Sequence, residues 1–438
     1  METRIIEPIH TYDAVVIGGG PAGATAAHEL AQRGRKVLLL DRSGRIKPCG
    51  GAIPPRLIRD FQIPEEQIVA RARSARMISP AGAEVDMPIN GGSVGMVDRE
   101  HFDEWLRERA ANAGAERRQG EFVSLDRDTD GTAIITFRED RDPHSNSAAE
   151  TVVDHKDNKP KTVRIYARTV VGADGARSKV AQQAMPEEPM PQSVFAYHEI
   201  IKSPPEQGSA RFDGERCDIY YQGRLSPDFY AWVFPHGSTT SVGVGSAHKG
   251  FSLRGAVSAL RSHASLDHQD TVRCEGAPIP LKPRKVWDNG KDVILAGDAA
   301  GCVAPASGEG IYYAMLGGRT AAEAIEELIV TGDAKALSRA RKRYMKEHGK
   351  VFFILGVMQH FWYRNDKRRE RFVNICRDED VQSLTWDAYM NKRLVRAKPA
   401  AHLRIFFKDI AHLLGLATID QKNGRQALKQ YADEKPAH

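Results

Sequence analysis

The stretch YDAVVIGGGPAGATAAHELAQRGRKVLLLDRS, residues 12–43, decides the fold. Its apolar runs AVVI and VLLL flank a glycine-rich turn and an alanine-rich segment. This pattern predicts a strand, a helix over about residues 21–34, and a second strand. Continuous apolar runs are typical of parallel strands that are covered on both faces. The sequence therefore predicts an α/β protein that opens with a βαβ unit.

The turn in this unit carries a dinucleotide-binding pattern. Gly18, Gly20 and Gly23 form G-x-G-x-x-G directly after the first strand. In this pattern the glycines allow a tight turn, a close approach to a pyrophosphate, and packing of the helix on the strand. Asp41 ends the second strand, where a carboxylate can accept hydrogen bonds from ribose hydroxyls. Together these features favour a Rossmann-like dinucleotide site over a purely structural turn.

The composition and charge of the chain exclude several classes of function. The chain has 438 residues and a net charge of +6, with 23 basic and 11 acidic residues in 335–438. No nucleic-acid-binding motif accompanies this basic region, so we expect no nucleic-acid partner. No apolar run is long enough to cross a bilayer, and the strand-like run at residue 12 leaves no room for a signal peptide. We expect a cytoplasmic protein.

The five cysteines are scattered and form no CxxC pair. This indicates neither disulfides nor a metal site. Farther along, 101–116 predicts a helix, GTAIITF and VRIYARTVVGADG predict strands, and the polar segment 138–161 between them predicts an exposed hairpin insertion. Residues 194–245 have an aromatic, strand-like pattern, and the sequence beyond residue 335 is helical in pattern.

Two later segments indicate that the dinucleotide is FAD. VVGADGARSKV places Asp174 and Gly175 after a strand, and LAGDAAGCVAPASGEGIYYAM places Gly297 and Asp298 after another. The whole set resembles the FAD-dependent hydroxylase and reductase superfamily typified by para-hydroxybenzoate hydroxylase. The resemblance implies that Asp298 binds the ribityl chain and that a helix beginning near Gly310 points at the flavin. The full set of expected cofactor-binding residues is Gly18, Gly20, Gly23, Asp41, Arg42, Gly50, Gly51, Arg99, Asp174, Gly297, Asp298, Pro305, Gly308 and Gly310.

A narrower resemblance covers nearly the whole chain. KPCGGAIPPR (residues 47–56) and YAWVFPHGSTTSVGVG (residues 230–245) look like geranylgeranyl reductases, and FWYRNDKRRERFVNICRD is similar to their chlorophyll and bacteriochlorophyll branch. The resemblance implies an enzyme that saturates three C=C bonds of a geranylgeranyl chain to phytyl, with non-covalent FAD and with NADPH as electron donor. The substrate is either the free diphosphate or the pigment ester. The expected substrate-binding residues are Tyr230, Trp232, Phe234, Pro235, Gly243 and Gly245. Because Tyr230, Trp232 and Phe234 alternate in the sequence, we expect all three on one face of a strand, where they line an apolar slot for the isoprenoid or pack on the core.

The chemistry adds one requirement. An isolated alkene cannot accept hydride alone, so an acid must deliver a proton as hydride arrives. Cys49 is the catalytic candidate that the resemblance offers. A free thiol, with a pKa of about 8.5, is a weak acid at neutral pH. The alternative is that Cys49 shapes the slot for the isoprenoid chain while water or a tyrosine delivers the proton.

The predicted architecture is an FAD-binding domain with an inserted antiparallel-sheet substrate domain and a helical C-terminal region. The predicted segments are 1–75, 98–180 and 276–334 for the FAD-binding domain, 76–97 and 181–275 for the substrate domain, and 335–438 for the basic helical region. In 399–417, one helical face is apolar with basic residues beside it, and it either packs in the core or associates peripherally with a membrane. The rival functions are an FAD-dependent monooxygenase and a prenyl-protein chaperone without flavin.

Overall fold

The computed structural model of the chain describes residues 11–42, 46–47, 49–140, 161–205 and 212–392. These residues form sixteen strands and nine α-helices, besides two short 3-10 helices. In chain order the strands are β1 (Thr11–Ile17), β2 (Val37–Asp41), β3 (Ala52–Ile53), β4 (Ala70–Ala72), β5 (Ser74–Ile78), β6 (Glu84–Pro88), β7 (Val94–Met96), β8 (Glu116–Arg127), β9 (Ala133–Glu139), β10 (Thr162–Gly172), β11 (Ser193–Lys202), β12 (Arg216–Tyr220), β13 (Ala231–His236), β14 (Thr239–Ser246), β15 (Thr271–Pro280) and β16 (Val293–Leu295). The helices are α1 (Pro21–Gln32), α2 (Pro55–Asp60), α3 (Arg99–Asn112), α4 (Lys179–Ala184), α5 (Leu253–His263), α6 (Ile311–Thr331), α7 (Lys335–Trp362), α8 (Asp366–Ile375) and α9 (Glu379–Asn391).

The chain divides into two compact units, each made of three stretches. The first unit comprises Met1–Ile46, Arg99–Ser193 and Pro278–Gly349, and the second comprises Lys47–Asp98, Val194–Ala277 and Lys350–His438. The division predicted from the sequence alternates between two domains in a similar way, but it assigns 47–75 to the FAD-binding domain. Those boundaries stay a prediction.

A parallel sheet in the order β8–β2–β1–β10–β16 forms the centre of the first unit. In its central strand β1, Val15 lies opposite Leu38 on one side and Val170 on the other. All three side chains are fully buried, as expected for strands that are covered on both faces. The predicted βαβ unit is therefore confirmed, with α1 as its helix.

Strand β9 departs from this parallel arrangement. It pairs antiparallel with the later part of β8 and the first part of β10. The strands predicted from GTAIITF and VRIYARTVVGADG are thus confirmed as β9 and β10. Most of the hairpin insertion predicted between them, residues 141–160, lies outside the described residues.

Close packing of α6 on α1 brings two loops of the first unit together. Gly318 of α6 lies so near the Ala22 carbonyl of α1 that any side chain at position 318 would collide with it. In the turn that follows β16, a Cβ on Gly297 would lie only 2.7 Å from the Cβ of Ala22. The Gly297–Asp298 turn is therefore beside the first turn of α1.

The second unit is built on a seven-stranded sheet in the order β15–β11–β14–β13–β12–β5–β6. Strands β11, β14, β13 and β12 run antiparallel to one another, whereas β12 and β5 are parallel. Residues Val233, Val242 and Val244 form an apolar core with Val257 and Leu260 of α5. One face of the sheet is thus covered by α5, and the strands expected in 194–245 are confirmed.

The described C-terminal residues are helical, as expected, and one basic residue there is structural. Arg369 of α8 is almost fully buried, and it donates to the Asp366 carboxylate at 2.6 Å, to the Tyr363 carbonyl at 2.5 Å and to the Pro227 carbonyl. The amphipathic segment 399–417 lies outside the described residues. None of the described helices is both long and apolar enough to cross a membrane.

Candidate functional site

The β1–α1 turn has the geometry that its glycine pattern predicts. The Gly18 N–H donates to the Leu40 carbonyl at 2.8 Å, Gly20 immediately precedes α1, and Gly23 lies in its first turn. Among the described residues, no atom lies within 4 Å of the place where Gly20 would carry a Cβ. This open space at the N-terminus of a 12-residue helix is a cradle that suits a phosphate.

Asp41 lies at this turn together with a residue that sequence reasoning missed. Arg107 of α3 donates to Asp41 Oδ2 at 3.3 Å and to the Gly19 carbonyl at 3.2 Å. Burial raises the pKa of Asp41, while the Gly19 backbone and the Arg107 charge oppose that shift. A cation and a carboxylate therefore lie side by side at the mouth of the glycine turn.

The second loop of the first unit contributes another buried carboxylate. Asp298 is almost fully buried, and its Oδ1 lies 3.9 Å from the place of a Cβ on Gly310. Gly310 precedes α6 and offers no side-chain cap. The preceding loop contains Pro305 and Gly308, whose N–H donates to the Ala304 carbonyl at 2.9 Å. Asp298 and the N-terminus of α6 are thus adjacent.

Three other residues expected at the cofactor have clear positions in the first unit. Arg99 begins α3 and is buried in a bidentate ion pair with Asp103 at 2.6 and 2.7 Å, so it is not a surface arginine. Asp174 accepts from Ser178 Oγ at 2.5 Å and from the Val180 N–H at 3.1 Å, and it thereby holds the first turn of α4. Arg42 is exposed beside Asp41.

In the second unit, Tyr230 immediately precedes β13, and it shares one face with Trp232 and Phe234 of that strand, as predicted. The ring centroids are 5.9 Å apart for Tyr230 and Trp232, and 6.2 Å apart for Trp232 and Phe234. The intervening Ala231 and Val233 belong to the core beneath α5. The aromatic row is therefore on the sheet face opposite the α5 core.

Gly243 of β14 has a steric reason to be glycine. It pairs with Trp232 on β13 and with His198 on β11. Any Cβ at position 243 would collide with the indole of Trp232, which lies across the glycine. Gly245 is similarly covered by Phe229, with 2.7 Å between a Cβ there and the ring. The Gly-x-Gly of this strand thus accommodates aromatic rings.

A buried hydrogen-bond chain holds the indole of Trp232, and sequence reasoning missed it. The Trp232 Nε1–H donates to Ser241 Oγ at 3.0 Å, and Ser241 Oγ lies 2.9 Å from His198 Nδ1. On its other side, His198 Nε2 lies 2.5 Å from Glu275 Oε2, and Glu275 forms an ion pair with Arg273. The hydrogen bonds link a Ser, a His and a Glu in series, as in a catalytic triad. Ser241, however, is fully buried and cannot act as a nucleophile.

The Cys49–Gly51 loop lies on the end of the aromatic strand. The Gly51 N–H points to Cys49 Sγ at 3.4 Å, and a Cβ on Gly50 would lie 2.8 Å from the Phe234 ring. Gly51 has a φ of +70°, and His236 occupies the space that its Cβ would need. Two glycines are therefore required here by the contacts with β13.

His236 presents an unprotonated nitrogen to this loop. Burial lowers the pKa of His236 to about 4, so its imidazole is neutral at pH 7. Its Nδ1 lies 3.0 Å from the Phe234 carbonyl, which can only accept, so Nδ1 carries the proton. His236 Nε2, which is next to Gly51, is consequently a hydrogen-bond acceptor.

The predicted site residues thus fall into two groups, one in each unit. The first unit holds Gly18, Gly20, Gly23, Asp41, Arg42, Arg99, Asp174, Gly297, Asp298, Pro305, Gly308 and Gly310, and the second holds Cys49, Gly50, Gly51, Tyr230, Trp232, Phe234, Pro235, Gly243 and Gly245. Within the first unit, the N-termini of α1 and α6 lie beside the carboxylates of Asp41 and Asp298, and Arg107 lies next to Asp41. This combination fits a dinucleotide with a ribityl chain.

Comparisons with known proteins agree with this fit. Residues 11–346 match a family described as FAD binding domain, so the chain is an FAD-binding oxidoreductase of that class. A geranylgeranyl diphosphate reductase of Rhodobacter capsulatus is 54% identical over 92% of this chain and 98% of its own length. A geranylgeranyl diphosphate reductase of Synechocystis sp. is 35% identical over 91% of this chain and 97% of its own length.

These two relatives establish the narrower relationship: the chain belongs to the geranylgeranyl reductase family. The same fold occurs in the crystal structure of a geranylgeranyl bacteriochlorophyll reductase-like protein from Thermoplasma acidophilum. That structure has a TM-score of 0.72 and 20% sequence identity, and the match covers 90% of this chain and all of that one. The architecture predicted from the sequence is thereby confirmed.

The position of Arg107 leads to a prediction about FAD affinity. Arg107→Gln should weaken FAD binding by about tenfold, because a hydrogen bond to a charged group contributes roughly 1.5–3 kcal/mol and this side chain is partly exposed. Arg117→Gln is the matched control, since Arg117 pairs with Glu104 at 2.7 Å, as Arg107 does at 2.8 Å. Titration of the apoprotein with FAD measures both affinities. Equal FAD dissociation constants for the two variants would show that Arg107 does not contribute to FAD binding.

Proposed function

We propose that this protein is an NADPH-dependent flavoprotein that saturates three C=C bonds of a geranylgeranyl chain to give phytyl. The observation that carries the proposal is the aromatic row of Tyr230, Trp232 and Phe234, with the Cys49–Gly51 loop against its Phe234 end. Apolar rings with few charges suit an isoprenoid. The names of the relatives, which span nearly the whole chain, support the same substrate.

The residues of the first unit would hold the cofactor without a covalent bond. Asp41 and Arg107 would bind the adenosine end, the N-terminus of α1 the pyrophosphate, and Asp298 the ribityl chain. The N-terminus of α6 would stabilise negative charge on the flavin. When bound, FAD supplies the hydride for the alkene. The remaining contributions come from the protein itself.

The chain must bind the isoprenoid, exclude water and provide a proton. Tyr230, Trp232 and Phe234 would contact the apolar chain, and the hydrogen bond from Trp232 to Ser241 fixes the indole in one orientation. A proton must reach the less substituted carbon as hydride reaches the tertiary carbon, since no carbonyl is present to accept electron density. We assign proton delivery to Cys49.

The substrate is either free geranylgeranyl diphosphate or the geranylgeranyl ester of a chlorophyll-type pigment. Because either substrate is lipid-like, we place the protein in the cytoplasm at the face of a photosynthetic membrane, associated through the basic region 335–438. The monooxygenase alternative is not favoured, because the relatives that match along nearly their whole length are reductases. A flavin-free prenyl-protein chaperone would not need a complete set of dinucleotide-binding residues.

The electron donor can be tested separately. Mixing the oxidised flavoprotein with NADPH in the absence of oxygen should bleach the flavin absorbance, and NADH should do so more slowly. The sequence has no second G-x-G-x-x-G after a strand, so we expect transient binding of NADPH and a saturable rate. If NADPH leaves the flavin oxidised while dithionite-reduced protein still reduces the alkene, NADPH is not the electron donor, but the protein is still a reductase.

A further inference from the structure

An apolar patch on α7 is exposed in the second unit. Phe353 is 72% exposed, Val357 52% and Ile354 40%. Positions 353, 354 and 357 lie on adjacent turns of one helical face. Exposing large apolar side chains to water is energetically unfavourable, and contiguous exposed apolar patches commonly mark interaction sites.

The charges near this patch in the sequence indicate the charge of the partner that binds it. From Lys350 to Asn365 the sequence contains no Asp or Glu, and exposed Lys350 and Arg364 bracket the patch. Beyond it, Arg368 lies over the Phe361 ring at 4.2 Å. Residues 335–392 hold 14 basic and 7 acidic side chains. The sequence around the patch therefore carries a net positive charge, although Glu347 lies one turn before Lys350.

We propose that Phe353, Ile354 and Val357 form a docking surface for an anionic lipid bilayer, with Lys350 and Arg364 contacting the headgroups. An apolar helical face flanked by cations is the usual composition of an interfacial helix. No described helix can cross a membrane, so the contact would be peripheral. The inference rests on the proposed function in one respect, namely that a lipid-like substrate is taken from a membrane.

The test uses the full chain with bound FAD and vesicles that contain no substrate. We would measure co-flotation with phosphatidylcholine vesicles and with vesicles that also contain phosphatidylglycerol. Val357→Asp should reduce binding to the anionic vesicles by at least about tenfold, because it removes apolar contact and adds a repelled charge. Val272→Asp is the matched control, since Val272 on β15 is also 52% exposed, and it should bind as the unmodified protein does.

Further measurements complete the test. Binding of the unmodified protein should fall as salt is raised, because the headgroup contacts are electrostatic. Both variants should keep their FAD and their reductase rate on detergent-dispersed substrate, which separates failure of this inference from failure of the proposed function. Equal vesicle binding by the two variants would overturn the inference. A change of oligomeric state in Val357→Asp alone would also overturn it, because the patch would then be a contact between protein molecules. The same holds if truncation before residue 399 abolishes vesicle binding while Val357→Asp binds normally.

Discussion

Cys49→Ala is expected to slow alkene reduction by about 10²–10⁴-fold, the usual contribution of a positioned acid. The same variant should keep its FAD and its rate of flavin reduction by NADPH, because neither step needs the proton that Cys49 would deliver. Stopped-flow absorbance measures the two half-reactions separately: bleaching of the flavin by NADPH, and its reoxidation by the geranylgeranyl substrate.

Cys49→Ser is the control for loop geometry. A serine oxygen can still accept from the Gly51 N–H, which points to Cys49 Sγ at 3.4 Å, but a hydroxyl is a weaker acid than a thiol. We therefore expect no rescue by serine. If Ala and Ser each cost less than about tenfold, Cys49 merely lines the slot. Equal slowing of both half-reactions would indicate a disturbed loop and would leave the acid role without support.

Asp298→Ala is expected to weaken FAD binding by about 10- to 100-fold. Hydrogen bonds to a charged group contribute roughly 1.5–3 kcal/mol, and every 1.4 kcal/mol is about tenfold in affinity. Fluorescence titration of the apoprotein with FAD measures the change, and the purified variant should be visibly less yellow.

Asp174→Ala provides the comparison, because Asp174 is another carboxylate of the first unit and is half-buried. Its oxygens bind Ser178 and Val180 at the start of α4, so its loss should lower the melting temperature more than the FAD affinity. An Asp298→Ala protein with unchanged FAD affinity would show that the cofactor has been assigned to the wrong loop.

Features encoded by neighbouring residues could be predicted from the sequence. The β1–α1–β2 unit follows from two apolar runs and a glycine turn, all within residues 12–43, because parallel buried strands need continuous apolar sequence. The alternation of Tyr230, Trp232 and Phe234 likewise placed their side chains on one face, because side chains alternate along a strand.

Features that depend on tertiary contacts were not predictable. Arg107 is 66 residues from Asp41, and His198 is 43 residues from Ser241 and 77 from Glu275. No local pattern connects such pairs. The basic run at 367–371 has the composition of a solvated surface, yet Arg369 is buried against the carbonyl of Pro227. Charge alone does not distinguish an exposed arginine from one that ties a helix to a distant loop.

Anaerobic turnover tests the reductase assignment most directly. The purified protein, with FAD and NADPH and without oxygen, would be incubated with geranylgeranyl diphosphate and with the pigment ester, and the products would be weighed by mass spectrometry. The account predicts gains of two mass units per turnover, up to six, on at least one of these substrates. A product heavier by sixteen mass units and formed only in air would contradict it, because that is the signature of a monooxygenase.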